Sequence, residues 1–183
     1  MEKYHVLNKD GLNKAYYQVK EFHEAFGHPI AEKPTPMEVG TALTRQIWKA
    51  EEIVEFLHAT ARGQEELFKT LVNELISGIC DAVDKQLKKG IVYETDEDVL
   101  VAQADALTDI NYFNQGDFVV MGVKPQPLFD IVQCANMGKL WEDGKPRYRE
   151  DGKILKPANW EQDFAPEKRL REEVKRQKGE NKR

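Results

Sequence analysis

Cysteine is nearly missing from this sequence: Cys80 and Cys134 are the whole complement, and neither stands in a CxxC or Cys/His spacing. That excludes a zinc site or a disulfide framework and leaves two buried free thiols in apolar neighbourhoods, as suits a reducing compartment. Positive charge is not in surplus either. With 27 Lys and Arg against 32 Asp and Glu the net charge is −5, which argues against a nucleic-acid polymer as partner and suits a divalent cation or a metal-bound polyphosphate better. No apolar run is long enough to cross a bilayer, and the start "MEKYHVLNKDGLNK" has no apolar stretch behind a basic end. The expected location is cytoplasmic, with no membrane partner. Convincing period-2 alternation and solenoid-period repeats are also missing, so the expected fold class is all-α.

What is present is helical periodicity. The 183 residues suffice for one domain with a real core, and the reading is a domain over 1–165 followed by a charged tail over 166–183. A first helix runs through "GLNKAYYQVKEFHEAFG", with Ala15, Val19, Phe22 and Phe26 on one face. A second carries Leu43, Ile47, Ala50, Val54 and Leu57 and ends near Gly63. A third, from Gln64 to about Lys89, repeats Leu67, Leu71, Leu75, Ile79, Val83 and Leu87. A fourth starts at an N-cap Thr95 and runs to Gly122, although its "FVVM" alone could pass for a strand. A fifth, shorter one lies in "LFDIVQCANMGKLW", with Leu128, Ile131, Val132 and Met137 expected inside. The whole is a four-helix-bundle-like core with an additional helix. The segment "EDGKPRYREDGKILKP", with its two Asp-Gly turns, is an ordered loop or small hairpin. The final, almost wholly charged residues are a frayed helix or a disordered tail.

Two acidic groups break this pattern. Glu51, Glu52 and Glu55 lie in "KAEEIVEFLHA", where residues three and four apart share a helical face and can aim carboxylates at one point. A solvated charged face is the plain alternative. Asp105 and Asp109, four apart in "AQADALTDINYF", have small or apolar surroundings and poor intrinsic helix propensity. If the second and fourth helices pack antiparallel, the two groups face each other and suit a hard, oxygen-preferring cation such as Mg²⁺ or Mn²⁺.

An EExxE cluster, a later DALxD, then "ANMGK" and "DGKPRYREDGKILKP", in this order, resemble the all-α nucleoside triphosphate pyrophosphohydrolases of the MazG-like superfamily, in particular a branch with an Asn-Met-x-Lys segment followed by a DGK loop. The resemblance covers roughly residues 17–160. It implies a helical bundle that depends on Mg²⁺, hydrolyses a nucleotide between its α and β phosphates to a monophosphate and pyrophosphate, and pairs as a homodimer or a dimer of dimers. Carried over by position, it implies metal ligation by Glu52, Glu55 and Asp105, with Glu51 or Glu55 as the base that deprotonates water. The Glu expected three residues before Asp105 is Ala102, with Gln103 beside it; Asp109, a water or, in reserve, Asp81 could stand in. This departure also motivates the alternative of a non-catalytic nucleotide-binding or helical interaction protein.

Phosphate oxygens left free by the metal need donors. The resemblance places Asn136 and Lys139 there, with helix-end capping as the alternative for Lys139. Lys145, Arg147, Tyr148, Arg149, Lys153 and Lys156 give the DGK loop a basic and aromatic character that suits a lid over phosphate or base, or a plain solvated loop. Arg45 could reach phosphate or pair with Glu52. Trp48 fits helix packing better than base stacking, and His23 and His58 fit core-edge or surface roles better than ligand roles.

Overall fold

Residues 13–180 are described by a computed structural model. Among them run helices α1 (Lys14–Ala25), α2 (Val39–Thr60), α3 (Glu65–Lys89), α4 (Asp96–Met121), α5 (Pro125–Met137), α6 (Trp160–Asp163) and α7 (Glu167–Glu180). One antiparallel ribbon joins β1 (Arg147–Tyr148) to β2 (Ile154–Leu155), in the register Arg147 to Leu155 and Tyr148 to Ile154. The all-α class is therefore observed, and the ribbon falls where the Asp-Gly turns predict a loop or hairpin. "FVVM" is helical, as the end of α4. None of the described helices is long and apolar enough to cross a membrane.

The start of α4 shows how local chemistry sets a boundary. The Asp98 N–H donates to Thr95 Oγ1 at 3.1 Å, and the Thr95 N–H donates back to Asp98 Oδ2 at 3.2 Å. This is a reciprocal capping box, so Thr95 is the cap the sequence indicates. The described residues form two compact units, 13–32 with 109–180 and 33–108, and the boundary between them falls within α4.

In the first unit α1 packs along α5 through a polar seam. Asp130 accepts from Lys14 Nζ, Gln18 Nε2 and Gln126 Nε2, each at 2.8 Å, and the Lys14 ammonium, foremost among these donors, holds its carboxyl below the usual range. Buried Gln133 donates to the Gln18 carbonyl at 2.7 Å. Buried polar groups are retained where they are bonded in this way, each bond contributing about 0.5–1.5 kcal/mol net. On another side of α5 lies α7. Gln177 clamps the backbone of Lys124, accepting from its N–H at 2.7 Å and donating to its carbonyl at 3.1 Å. The charged segment read as a frayed helix or disordered tail is thus helical over Glu167–Glu180, anchored by one buried glutamine.

The second unit is built on an αα-hairpin. Between α2 and α3 the chain turns through Arg62 and Gly63, both at positive φ, above Ala61, which is wholly buried. His58 meets Phe68 edge to face across the hairpin at 5.1 Å, a packing role. Gln103 of α4 binds both backbone groups of Met37, accepting from the N–H at 2.7 Å and donating to the carbonyl at 3.1 Å.

Three burial expectations are corrected. Neither cysteine is buried. On α2 and α3 the expected inward residues Leu43, Ile47, Val54, Leu67, Ile79, Val83 and Leu87 are all exposed, and neither helix buries any residue. On α5, Val132 is exposed and Leu128, Ile131 and Met137 are only half-buried. The stripes form as periodicity requires, but a two-helix hairpin has too little surface to cover both of its own apolar faces.

Candidate functional site

The end of α5 carries the most constrained polar chemistry. Lys139 is half-buried, no carboxylate among the described residues pairs with it, and its Nζ donates to Asn136 Oδ1 at 2.8 Å. Burial pulls its pKa down from the ordinary lysine value, and the positive charge of Lys156 adds to the effect. Two ammonium groups thus share one neighbourhood, only one of them near an acid: Lys156 Nζ bonds to the exposed carboxylate of Glu161 at 3.2 Å. Such an arrangement disfavours the free state and favours a bound anion.

The turn carrying these groups is held from both sides. Before Asn136, the carbonyl of Ala135 accepts from the indole N–H of buried Trp160 at 2.8 Å. After Met137, buried Gly138 lies under Phe164, and a Cβ there would sit 2.2 Å from the ring. Gly138 is in ordinary helical conformation, so glycine is required here by close approach and not by dihedral angle.

The two DGK triplets fold alike. Asp143 Oδ1 accepts from the Lys145 N–H, and Asp151 Oδ1 from the Lys153 N–H, each at 3.1 Å. Gly144 and Gly152 have φ of 72° and 81°, the left-handed region that glycine enters without steric cost. Arg147 pairs with Asp143 at 2.7 Å and lies 5.6 Å from the centre of the Trp141 ring. Arg149 is bound to Asp151. The arginine partners hold Asp143 and Asp151 below the ordinary carboxylate range. Both arginines therefore brace the loops, while Lys145 and Lys153 contribute backbone groups to these turns, each donating its N–H to the aspartate and accepting at its carbonyl from the N–H of Trp141 or Arg149. Tyr148 spends its hydroxyl on the Phe26 carbonyl at 2.6 Å, tying the ribbon to the end of α1. Between them opens a cleft of about 490 Å³ lined by Phe26, Gly27, His28, Pro29, Pro146 and Tyr148. Two of its lining rings are braced by Phe22, which stacks on Phe26 at 4.2 Å and tilts against His28 at 5.4 Å. His23 Nδ1 lies 2.9 Å from the Pro29 carbonyl, a loop-holding role.

Glu51, Glu52 and Glu55 on α2, and Asp105 and Asp109 on α4, are all exposed. None of the five engages a cation or a side-chain donor among the described residues, in contrast with Glu65 and Glu66, which pair with Lys69. In kind and charge they fit a hard cation, although no three His, Cys, Asp or Glu among the described residues stand close enough to hold one. Asp81 is likewise exposed on α3. Ala102 is half-buried and its neighbour Gln103 is committed to Met37, so Gln103 is no substitute for the expected Glu. Arg45 lies 5.9 Å from the centre of the Trp48 ring and pairs with no acid among the described residues.

Sequence reasoning missed Trp160 and Phe164. The signal was present in "KPANWEQDF", where two aromatics four apart follow the basic loop directly.

A family model for phosphoribosyl-ATP pyrophosphohydrolase matches residues 19–136. Among solved structures, the chain is similar to one described as a "putative NTP pyrophosphohydrolase" from Exiguobacterium sp. 255-15. The two are 44% identical, the match covers 92% of this chain and 98% of that one, and the TM-score is 0.86. No curated protein matches.

Proposed function

Since the chain belongs to the phosphoribosyl-ATP pyrophosphohydrolase family, we propose that it is a nucleotide pyrophosphohydrolase, which splits a nucleoside triphosphate into the monophosphate and pyrophosphate. The observation that carries the reading is Lys139, a half-buried ammonium with no acid partner among the described residues, beside Asn136 and within the field of Lys156. Polyphosphate is the ligand this arrangement suits, since it brings several charged acceptors to the two cations and the amide. The aromatic and proline-lined cleft beside Tyr148 is the place for the base, where stacking asks for a flat ring and little hydrogen bonding. Lys145 extends the basic rim, and Arg45 is a further candidate contact.

Glu52, Glu55, Asp105 and Asp109, which pair with no cation among the described residues, are the carboxylates that would hold Mg²⁺ or Mn²⁺, which would neutralise phosphate charge and acidify a bound water. Glu51 or Glu55 takes the proton of the water that attacks at phosphorus, and pyrophosphate leaves. Small helical units with long exposed apolar stripes bury them by self-association, so the active form is a homodimer or a dimer of dimers. The test is a panel of nucleotides with and without Mg²⁺, with products identified. Release of monophosphate and pyrophosphate supports the reading, whereas orthophosphate release, or no turnover of any nucleotide, overturns it. The absence of a carboxylate at Ala102 favours one alternative, a protein that binds nucleotide without hydrolysing it. Saturable binding with no product would select that alternative.

A further inference from the structure

We propose that Trp160 is the positioning residue of the polyphosphate pocket: its ring face holds the Lys156 ammonium while its indole N–H fixes the turn that presents Asn136 and Lys139. This rests on the reading of that pocket as a phosphate site. Three contacts converge on the one side chain. Lys156 Nζ lies 3.5 Å from the ring centroid, close enough for a strong cation–π contact. The indole N–H donates to Ala135 O at 2.8 Å, the carbonyl immediately before Asn136. The ring itself is buried, at 5% exposure, so its plane is fixed by packing. Four residues on, Phe164 closes over Gly138, and the segment 160–164 grips the Asn136–Lys139 turn at both ends.

The arrangement solves a specific difficulty. Lysine is a flexible chain with several rotatable bonds, and two lysines brought to one anion repel each other before it arrives. An aromatic face holds one ammonium without neutralising it, whereas a buried carboxylate would compete with phosphate for the charge. The exposed Glu161 is a weak, solvent-screened competitor. Trp160 touches no substrate in this scheme and acts through Lys156 and the α5 turn.

The test uses the full chain and inorganic pyrophosphate as probe, with Trp160→Phe and Trp160→Leu. Phe keeps a ring face and loses the N–H donor; Leu loses both. Calorimetric pyrophosphate affinity is expected to fall about threefold in the Phe variant and about tenfold or more in the Leu variant. With nucleotide, KM should rise by similar factors while kcat changes less. The ε-methylene protons of Lys156 should be shifted upfield by the ring in wild type and in the Phe variant, and should return to ordinary lysine values in the Leu variant. A merely structural role would lower the melting temperature while leaving the affinity of the folded protein unchanged. Equal affinity in wild type and both variants therefore overturns the proposal. If the Leu variant does not fold, the Phe variant decides, and wild-type affinity there overturns it. Should wild type itself bind no pyrophosphate, the phosphate reading falls and the positioning role with it. Binding by wild type together with indifference to Trp160 sinks the positioning role alone.

Discussion

Lys139 shows at the scale of one residue how a binding function is set against stability. Its pKa is lowered by burial and by Lys156, so the cost of holding it charged is fully present below its folded pKa. That cost is relieved as pH rises toward the ordinary lysine value, because over that window the unfolded chain binds more protons. Wild type should therefore gain stability with rising alkaline pH relative to Lys139→Met, which lacks the ionisation. At neutral pH the variant should unfold at an equal or higher denaturant midpoint, yet bind pyrophosphate about ten- to a hundredfold more weakly. Loss of stability with affinity retained would show that Lys139 is only a helix cap. Gly138 gives the steric counterpart. Gly138→Ala forces a methyl into the Phe164 ring, and overpacking of this kind costs about 1–3 kcal/mol. Thermal unfolding should register that loss, with weakened pyrophosphate binding because Lys139 is the next residue.

On the proposed carboxylate site, helix α2 is the element on which catalysis depends. Glu52→Gln, Glu55→Gln and, on α4, Asp105→Asn keep size and nearly keep helix propensity, so stability should be unchanged or slightly raised. Hydrolysis should fall about 10²-fold or more in each, and loss of the base should cost about 10²–10⁴-fold. Glu65→Gln, which gives up only an exposed pair with Lys69, should leave rates unchanged. Wild-type turnover at limiting Mg²⁺ in the Glu52 and Asp105 variants would return these acids to an ordinary charged face. Helix α7 makes a different kind of prediction. Arg176 and Gln177 bond to Glu173 and lower its pKa to about 2. The contribution to α7 is present above the ordinary carboxylate pKa and is lost as pH falls through that range toward about 2. Hydrogen-exchange protection along α7, taken relative to the intrinsic rate at each pH, should fall on acidification earlier than protection in α5, and equal protection in the two helices at every pH would refute the link.

For the whole molecule the decisive quantity is apolar surface left in contact with water. Val39, Leu87, Val92, Tyr112, Phe113, Val119 and Val120 are each at least 70% exposed, far more than scattered surface hydrophobes explain. Sedimentation should therefore find a dimer or a dimer of dimers at micromolar concentration, with a melting temperature that rises with protein concentration. Val83→Asp, on the exposed face of α3, should shift the population toward smaller species and lower the melting temperature. A stable monomer with a concentration-independent transition would overturn the assembly. The polar clamps at Gln103, Gln133 and Gln177 hold the units internally, so the variant should keep its helical content.

Helix order, the N-cap at Thr95, the paired Asp-Gly turns and the acidic positions on α2 and α4 were legible in the sequence alone. Each is set by forces acting over a few residues: helical period, capping and turn chemistry. Resemblance of motif order added Asn136 and Lys139. Tertiary structure alone decided which stripes are covered, placing Leu128 and Ile131 partly inside while leaving Ile79 and Val83 in water. It also turned Arg147 and Arg149 into braces on their own loops, drew Tyr148 to Phe26, ordered the charged end as a helix on Gln177, and set Trp160 against Ala135 and Lys156. Period says which face of a helix is apolar, but only the arrangement of distant segments says what meets that face. A cation's partner depends likewise on distances in space, and separations along the chain do not reveal them.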